Sequence, residues 1–137
     1  MRVYFDPSAY AKRYIQEHGA LEVIEWCDRA TELVLSVVAI PELISALCRM
    51  QRETRLTAKQ YRQIKQDLMA DGADALICDT TPQVIQYAVS VREANPLRGM
   101  DAIRSGAALA CSAEAFISAD RRQCEAAKQA GLTVVTL

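Results

Sequence analysis

The sequence predicts an α/β fold, a single domain over residues 1–137 with a mostly parallel central sheet of about five strands flanked by helices on both faces. Three observations lead there. Short apolar or β-branched runs alternate with longer segments of helical periodicity. Asp-Pro, Thr-Pro and Asn-Pro steps and isolated glycines fall where helices should start or stop. Finally, Asp6, Glu42, Asp101 and Asp120 each stand where a strand ends or the next helix begins. In a parallel sheet those positions share one edge.

Val3 to Phe5 reads as a short buried strand. Asp6-Pro7 is its exit into a helix through about Glu17, with Asp as N-cap and Pro at the first helical position. Gly19 ends that helix. Leu21, Ile24 and Cys27 mark one face of a second helix, and Leu33 to Val38 is apolar and β-branched enough for the next strand. A third helix enters through Ser36 to Pro41 and carries Leu43, Ile44, Leu47 and Met50. Thr57-Ala58-Lys59-Gln60 has the form of a capping box, with Tyr61, Ile64 and Leu68 following at helical spacing, so the two helices make a long αα-hairpin.

Leu76 to Cys78 is a short apolar run before Thr81-Pro82, which starts a helix bearing Val84, Ile85, Ala88 and Val89 that Asn95-Pro96 stops. From Asp101 to Cys111 small residues dominate. Gly106 in mid-helix costs about 1 kcal/mol relative to Ala, which points to close backbone packing there. Ala115 to Ser118 and Thr133 to Leu137 are the last two strands, with a helix from about Arg121 to Gln129 between them and Gly131 as its stop.

The bulk numbers suit this fold. A hydrophobic fraction of 51% is slightly above the usual range of roughly 45–50%, enough for one well-buried core. Sixteen basic residues against seventeen acidic ones give a net charge of −1, which argues against a broad polyanion-binding surface and leaves room for a small basic rim. The five cysteines contain no C-x-x-C pair and read as buried reduced thiols rather than zinc ligands or disulfides. The N-terminus runs straight into a strand with no charged leader or long apolar stretch. A cytoplasmic protein without a membrane partner is therefore expected.

Each acid alone has an ordinary explanation. Asp6 fits a helix N-cap, as does Asp120 with Gln123 three residues on, while Glu42 and Asp101 in first turns complement the helix dipole. Jointly they suggest more, because hard carboxylate oxygens gathered at one sheet edge suit Mg²⁺ or Mn²⁺ and metal-assisted phosphoryl chemistry.

The flanking residues carry a resemblance. Tyr4-Phe5-Asp6-Pro7-Ser8-Ala9-Tyr10-Ala11-Lys12-Arg13-Tyr14, Pro41-Glu42-Leu43-Ile44-Ser45-Ala46-Leu47, Arg98-Gly99-Met100-Asp101-Ala102-Ile103 and Phe116-Ile117-Ser118-Ala119-Asp120-Arg121-Arg122 resemble, in order, the motif blocks of PIN-domain ribonucleases of the VapC toxin type. The resemblance covers essentially the whole chain. It implies that Asp6, Glu42, Asp101 and Asp120 hold one or two Mg²⁺ or Mn²⁺ ions and that a bound water attacks an RNA phosphodiester. Ser8 and Ser118 match hydroxyl positions that orient carboxylates or water, against an ordinary reading as helix-entry serines. Arg98, Arg104 and Arg121 are candidates for the RNA backbone; for Arg122 a solvated helix face is the simpler reading.

Arg104 departs from the family pattern, in which histidine is frequent one turn after the third acid. A guanidinium there can grip a phosphate or pair with an acid, but cannot shuttle protons. The family likeness further implies a homodimer and a small antitoxin partner, for which the αα-hairpin from about Ala39 to Asp71 is a candidate surface, because its apolar stripes look too extensive for the small sheet alone.

Other classes fit less well. A haloacid-dehalogenase-type phosphatase needs a second Asp where this chain has Ser8, and a response-regulator receiver wants an adjacent acidic pair at the first strand and a lysine near Ala119. The serious alternative is a weakly active or inactive PIN scaffold that binds RNA or protein.

Overall fold

In the computed structural model, which describes residues 1–137, β1 (Arg2–Phe5) is the middle strand of a five-stranded sheet. β2 (Glu32–Ser36) and β4 (Ala115–Ser118) flank it, β3 (Leu76–Cys78) lies outside β2, and β5 (Val134–Thr136) lies outside β4. All four neighbouring pairs are parallel. The chain winds outward from β1 to β3 and then returns to the other side of β1. The order therefore reverses between β1 and β4, where a crevice opens beyond the strands' carboxyl ends.

Both faces of the sheet are covered, which is why β1 reads as a continuous apolar run. Val3, Tyr4 and Phe5 are all fully buried. Successive side chains point to opposite faces. Val3 and Phe5 join Leu35 and Ile117 in one core, while Tyr4 joins Val34 and Phe116 in the other. The Tyr4 and Phe116 rings stack with centroids 5.3 Å apart.

The first core is closed by α1 (Pro7–Tyr10), α2 (Ala20–Arg29), α3 (Ala39–Arg52) and α4 (Ala58–Asp74), through Tyr10, Val23, Leu43, Leu47 and Leu68. The second is closed by α5 (Pro82–Ala94), α6 (Gly99–Ala110) and α7 (Arg121–Gln129), through Val84, Ala107, Ala108 and Ala127. Local chemistry sets the helix starts. Thr57 and Gln60 form the reciprocal capping box, and Thr81 Oγ1 accepts from Val84 N at 3.3 Å ahead of Pro82. Gly106 lies where α6 meets α5: a Cβ there would stand 2.6 Å from the Val84 carbonyl oxygen. No helix is long and apolar enough to cross a membrane.

Two expectations need correction. The first helix does not continue to Glu17 but ends at Tyr10 and tightens into a 3₁₀ turn over Ala11–Arg13. The tighter turn lets the Tyr14 hydroxyl donate to Asp71 of α4 at 2.7 Å, a contact that local periodicity does not encode. The αα-hairpin is also better covered than its sequence suggests, although part of its stripe stays accessible. Leu43, Leu47 and Leu68 are buried, and Ile40, Ile44, Leu56, Tyr61 and Ile64 pack against the same core. Tyr14 and Ile15, from the turn after α1, supply the additional apolar partners.

Candidate active site

Asp6 follows β1 directly, and its backbone N–H continues the strand ladder by donating to Ile117 O at 2.9 Å. The residue is 1% exposed. Its Oδ2 accepts from the Ser8 hydroxyl, from Ser8 N at 3.3 Å and from the Ser118 hydroxyl at 3.2 Å. The serines are anchored in turn, since Ala119 N donates to Ser8 Oγ at 3.1 Å and Asp120 N donates to Ser118 Oγ at 3.0 Å. Asp6 Oδ1 is different: it is buried and has no hydrogen-bond partner.

Glu42 lies in the first turn of α3 and Asp101 in the first turn of α6. Both meet Asp6 at one group, the Arg104 guanidinium. Arg104 Nη2 pairs with Glu42 Oε2, Nη1 donates to Asp101 Oδ1 at 2.7 Å, and Nε stands 3.8 Å from Asp6 Oδ1. Its side chain is 16% exposed. Three acids distant in sequence thus converge on one cation. As the side chains stand, no three acidic, histidine or cysteine residues are grouped closely enough to share a metal ion.

The electrostatics follow from this packing. Burial pushes the Asp6 carboxyl above its ordinary value, opposed by the Ser8 hydroxyl, Arg104 and Ser118. Burial also raises Glu42, against the pull of Arg104 and with a further push from Asp6 and Asp101. Desolvation works against the Arg104 charge, yet Asp6, Glu42 and Asp101 outweigh it and hold its pKa above the usual one.

Asp120 serves as the N-cap of α7: its Oδ1 accepts from Arg122 N at 2.9 Å and Gln123 N at 3.4 Å. It makes no ion pair with Arg104, but lines a cleft of about 560 Å³ together with Asp101, Arg104, Arg98, Arg92 and Arg122, a hollow that Asp6 and Glu42 reach only through Arg104. A larger hollow, of about 610 Å³, runs from Lys12 to Ile24 and contains His18, but none of the four acids lines it.

Arg121 does not join the cleft. It borders a separate hollow with Glu125 and Lys128, whereas Arg122, which the sequence presents as a solvated residue, lines the cleft of Asp101 and Asp120 with Arg92. Gln123 is a supporting residue that sequence reasoning treats only as part of a cap. It is fully buried, accepts from Ser105 Oγ at 3.1 Å and donates to the Asp101 carbonyl at 3.0 Å, tying α7 to the first turn of α6. A glutamine amid the apolar face of α7 was the available signal.

No family model matches the chain. Two curated Mycobacterium tuberculosis proteins do, Ribonuclease VapC45 and Ribonuclease VapC49, each 31% identical over 134 residues, covering 96% of this chain and 93% of the relative. Among solved structures, FitAcB from Neisseria gonorrhoeae superposes with a TM-score of 0.72 at 14% identity, covering 98% of this chain and 96% of that one. Mycobacterium tuberculosis VapC20, described as a sarcin-ricin loop cleaving toxin, gives 0.70 at 12% identity, covering 98% and 99%.

Proposed function

Because the chain belongs to the VapC family of PIN-domain ribonucleases, we propose that it is a metal-dependent endoribonuclease and the toxin of a toxin–antitoxin pair. The observation that carries the catalytic part is the convergence of Asp6, Glu42 and Asp101 on one guanidinium beside the sheet's switch point. The donor set suits a divalent cation. Carboxylate oxygens are the hard ligands Mg²⁺ and Mn²⁺ prefer, and the buried Asp6 Oδ1 still lacks a hydrogen-bond partner. Asp6, Glu42, Asp101 and Asp120 would hold the ion. When bound, it would lower the pKa of a water and neutralise charge developing on the phosphate.

The chain's own residues do the positioning. Ser8 and Ser118 engage one oxygen of Asp6 and so orient the other, while Gln123 fixes the turn that carries Asp101. Arg92, Arg98 and Arg122 line the cleft and are suited to RNA phosphates; these exposed side chains can adjust to a flexible single strand. The sole histidine, His18, lies outside the cleft, so proton transfer there falls to carboxylates and water.

Relatives and neighbours described as ribonucleases and as toxin–antitoxin complexes, one of the latter from Klebsiella pneumoniae, support an antitoxin partner. Homodimerisation and a cytoplasmic location belong to the same reading.

Purified protein should cleave RNA with Mg²⁺ or Mn²⁺, stop in excess chelator, and lose cleavage in Asp101→Asn. Undiminished cleavage in chelator, with contaminating nuclease excluded, would remove the metal mechanism. A second reading, a PIN scaffold that binds RNA without cutting it, is favoured by the position of Arg104 among the acids. RNA binding without cleavage under any divalent ion would select it.

A further inference from the structure

Arg104 serves the three acids unequally. Two of its nitrogens pair with Glu42 and Asp101, but Nε is 3.8 Å from Asp6 Oδ1, and both of those atoms are buried without a hydrogen-bond partner. A buried, unsatisfied carboxylate oxygen is costly, all the more so when it is charged. The planar guanidinium fork satisfies two neighbours and leaves the third. A small divalent ion is not bound by that geometry, and it draws oxygen ligands closer than a guanidinium can. With the guanidinium paired to Glu42 and Asp101, no three acids are grouped closely enough to share an ion. The same side chain lines the arginine-rich cleft, which gives it somewhere to go.

We infer that Arg104 is a built-in counter-cation of the carboxylate site: its guanidinium holds Asp6, Glu42 and Asp101 in the metal-free protein, and a divalent ion binds by displacing it into the cleft. The inference rests on the metal-ribonuclease reading of this site. It concerns a residue that departs from the family pattern, and it sets a metal affinity lower than the same acids would have without the arginine.

The test measures metal binding directly, apart from cleavage. Mn²⁺ affinity of the metal-free protein is read from the electron paramagnetic resonance signal of the free ion, for wild type, Arg104→Gln and Arg104→Lys. Arg104→Gln should bind Mn²⁺ at least tenfold more tightly than wild type, with Arg104→Lys between them. In wild type labelled with ¹⁵N-arginine, the Arg104 Nε–H resonance, assigned by its absence in either variant, should shift and exchange faster with solvent as Mg²⁺ is added. This second measurement stands even if Arg104→Gln fails to fold.

Equal or weaker Mn²⁺ binding by the variants, with wild type still binding, would overturn the competition and leave the metal site intact. So would a stationary Arg104 resonance while Mg²⁺ raises the melting temperature. No Mn²⁺ binding by any of the three proteins would remove the metal reading itself, and this inference with it.

Discussion

The Ser118 hydroxyl donates to Asp6 Oδ2 across 3.2 Å, a bond that joins the ends of β4 and β1 where the order of the sheet reverses. The same hydroxyl accepts from Asp120 N, so one buried oxygen connects two of the candidate site acids.

Ser118→Ala should therefore affect both stability and the site. A buried carboxylate loses a donor and a backbone N–H loses its acceptor, at a cost of about 1–3 kcal/mol. Loss of a supporting hydrogen bond commonly costs roughly 10–100-fold in metal affinity or activity. Thermal unfolding and Mn²⁺ titration should show both effects. A variant with wild-type metal affinity would mean that Ser118 only stabilises the strand ends.

Asp6→Asn should leave the metal-free protein as stable as wild type or more so. Asn caps a helix about as well as Asp, and burial already holds the Asp6 carboxyl above its ordinary 3.8. With the folded pKa raised, the folded state retains the proton longer than the unfolded one. The stability this group contributes is present below the ordinary value and is lost as pH rises through the folded one. Wild type should therefore show a decline in stability over that window that Asp6→Asn lacks. Added Mn²⁺ should raise the melting temperature of the variant less. Equal metal stabilisation in both proteins would take Asp6 out of the site.

Gly106→Ala opposes two effects of different size. Helix propensity favours alanine by about 1 kcal/mol. The new methyl group would meet the Val84 carbonyl oxygen at 2.6 Å and Ala88 N at 3.0 Å, both backbone atoms, so α5 and α6 must separate. Overpacking of this kind costs about 1–3 kcal/mol, and the net result should be destabilisation. Denaturant unfolding reads the sign directly, and a stabilised variant would show that the two helices separate freely.

Cys27 and Cys111 should react slowly with thiol reagents. Burial pushes each thiol up to about 11 from an ordinary 9.0, which leaves roughly a hundredfold less thiolate near neutral pH. Labelling followed by mass spectrometry at pH 7.5 should find both lagging well behind a free thiol in a peptide. Rapid modification of the folded protein at either position would contradict the packing.

Salt dependence of RNA binding distinguishes the neighbouring arginines. With Arg92, Arg98 and Arg122 in the cleft, the slope of log affinity against log salt should be near −2, from roughly −0.7 per phosphate on a single strand. Arg122→Gln should flatten that slope, and Arg121→Gln should leave it unchanged. The reverse pattern would move the RNA path to the hollow beside Glu125 and Lys128.

Where the signal was local, the sequence was sufficient. Two faces of helix cover β1, so Val3 to Phe5 had to be apolar throughout, and the strand could be read from that run alone. Asp6-Pro7, Thr57 with Gln60, and Thr81-Pro82 satisfy orphan helix N–H groups or preset a helical φ within a few residues, so those helix starts were legible as well. The order of strands and helices then placed Asp6, Glu42 and Asp120 at the carboxyl edge of a parallel sheet, whereas Asp101, opening a helix that follows another helix, joins them through tertiary packing.

What only the tertiary structure decided depends on distances between residues far apart in the chain. The meeting of Arg104 with Glu42, 62 positions away, is set by how α3 and α6 approach across the switch point, and no periodicity encodes it. Arg121 and Arg122 are adjacent in the sequence, yet successive positions on a helix lie about 100° apart, so they face different hollows. Gln123 fits a cap pattern but turns inward to hold Asp101's turn, and the αα-hairpin's stripes look unpartnered until the turn after α1 packs beneath them. Caps and buried strands follow from bonds made within a few residues of chain, whereas ion pairs and packed faces exist only after the sheet has brought distant segments together.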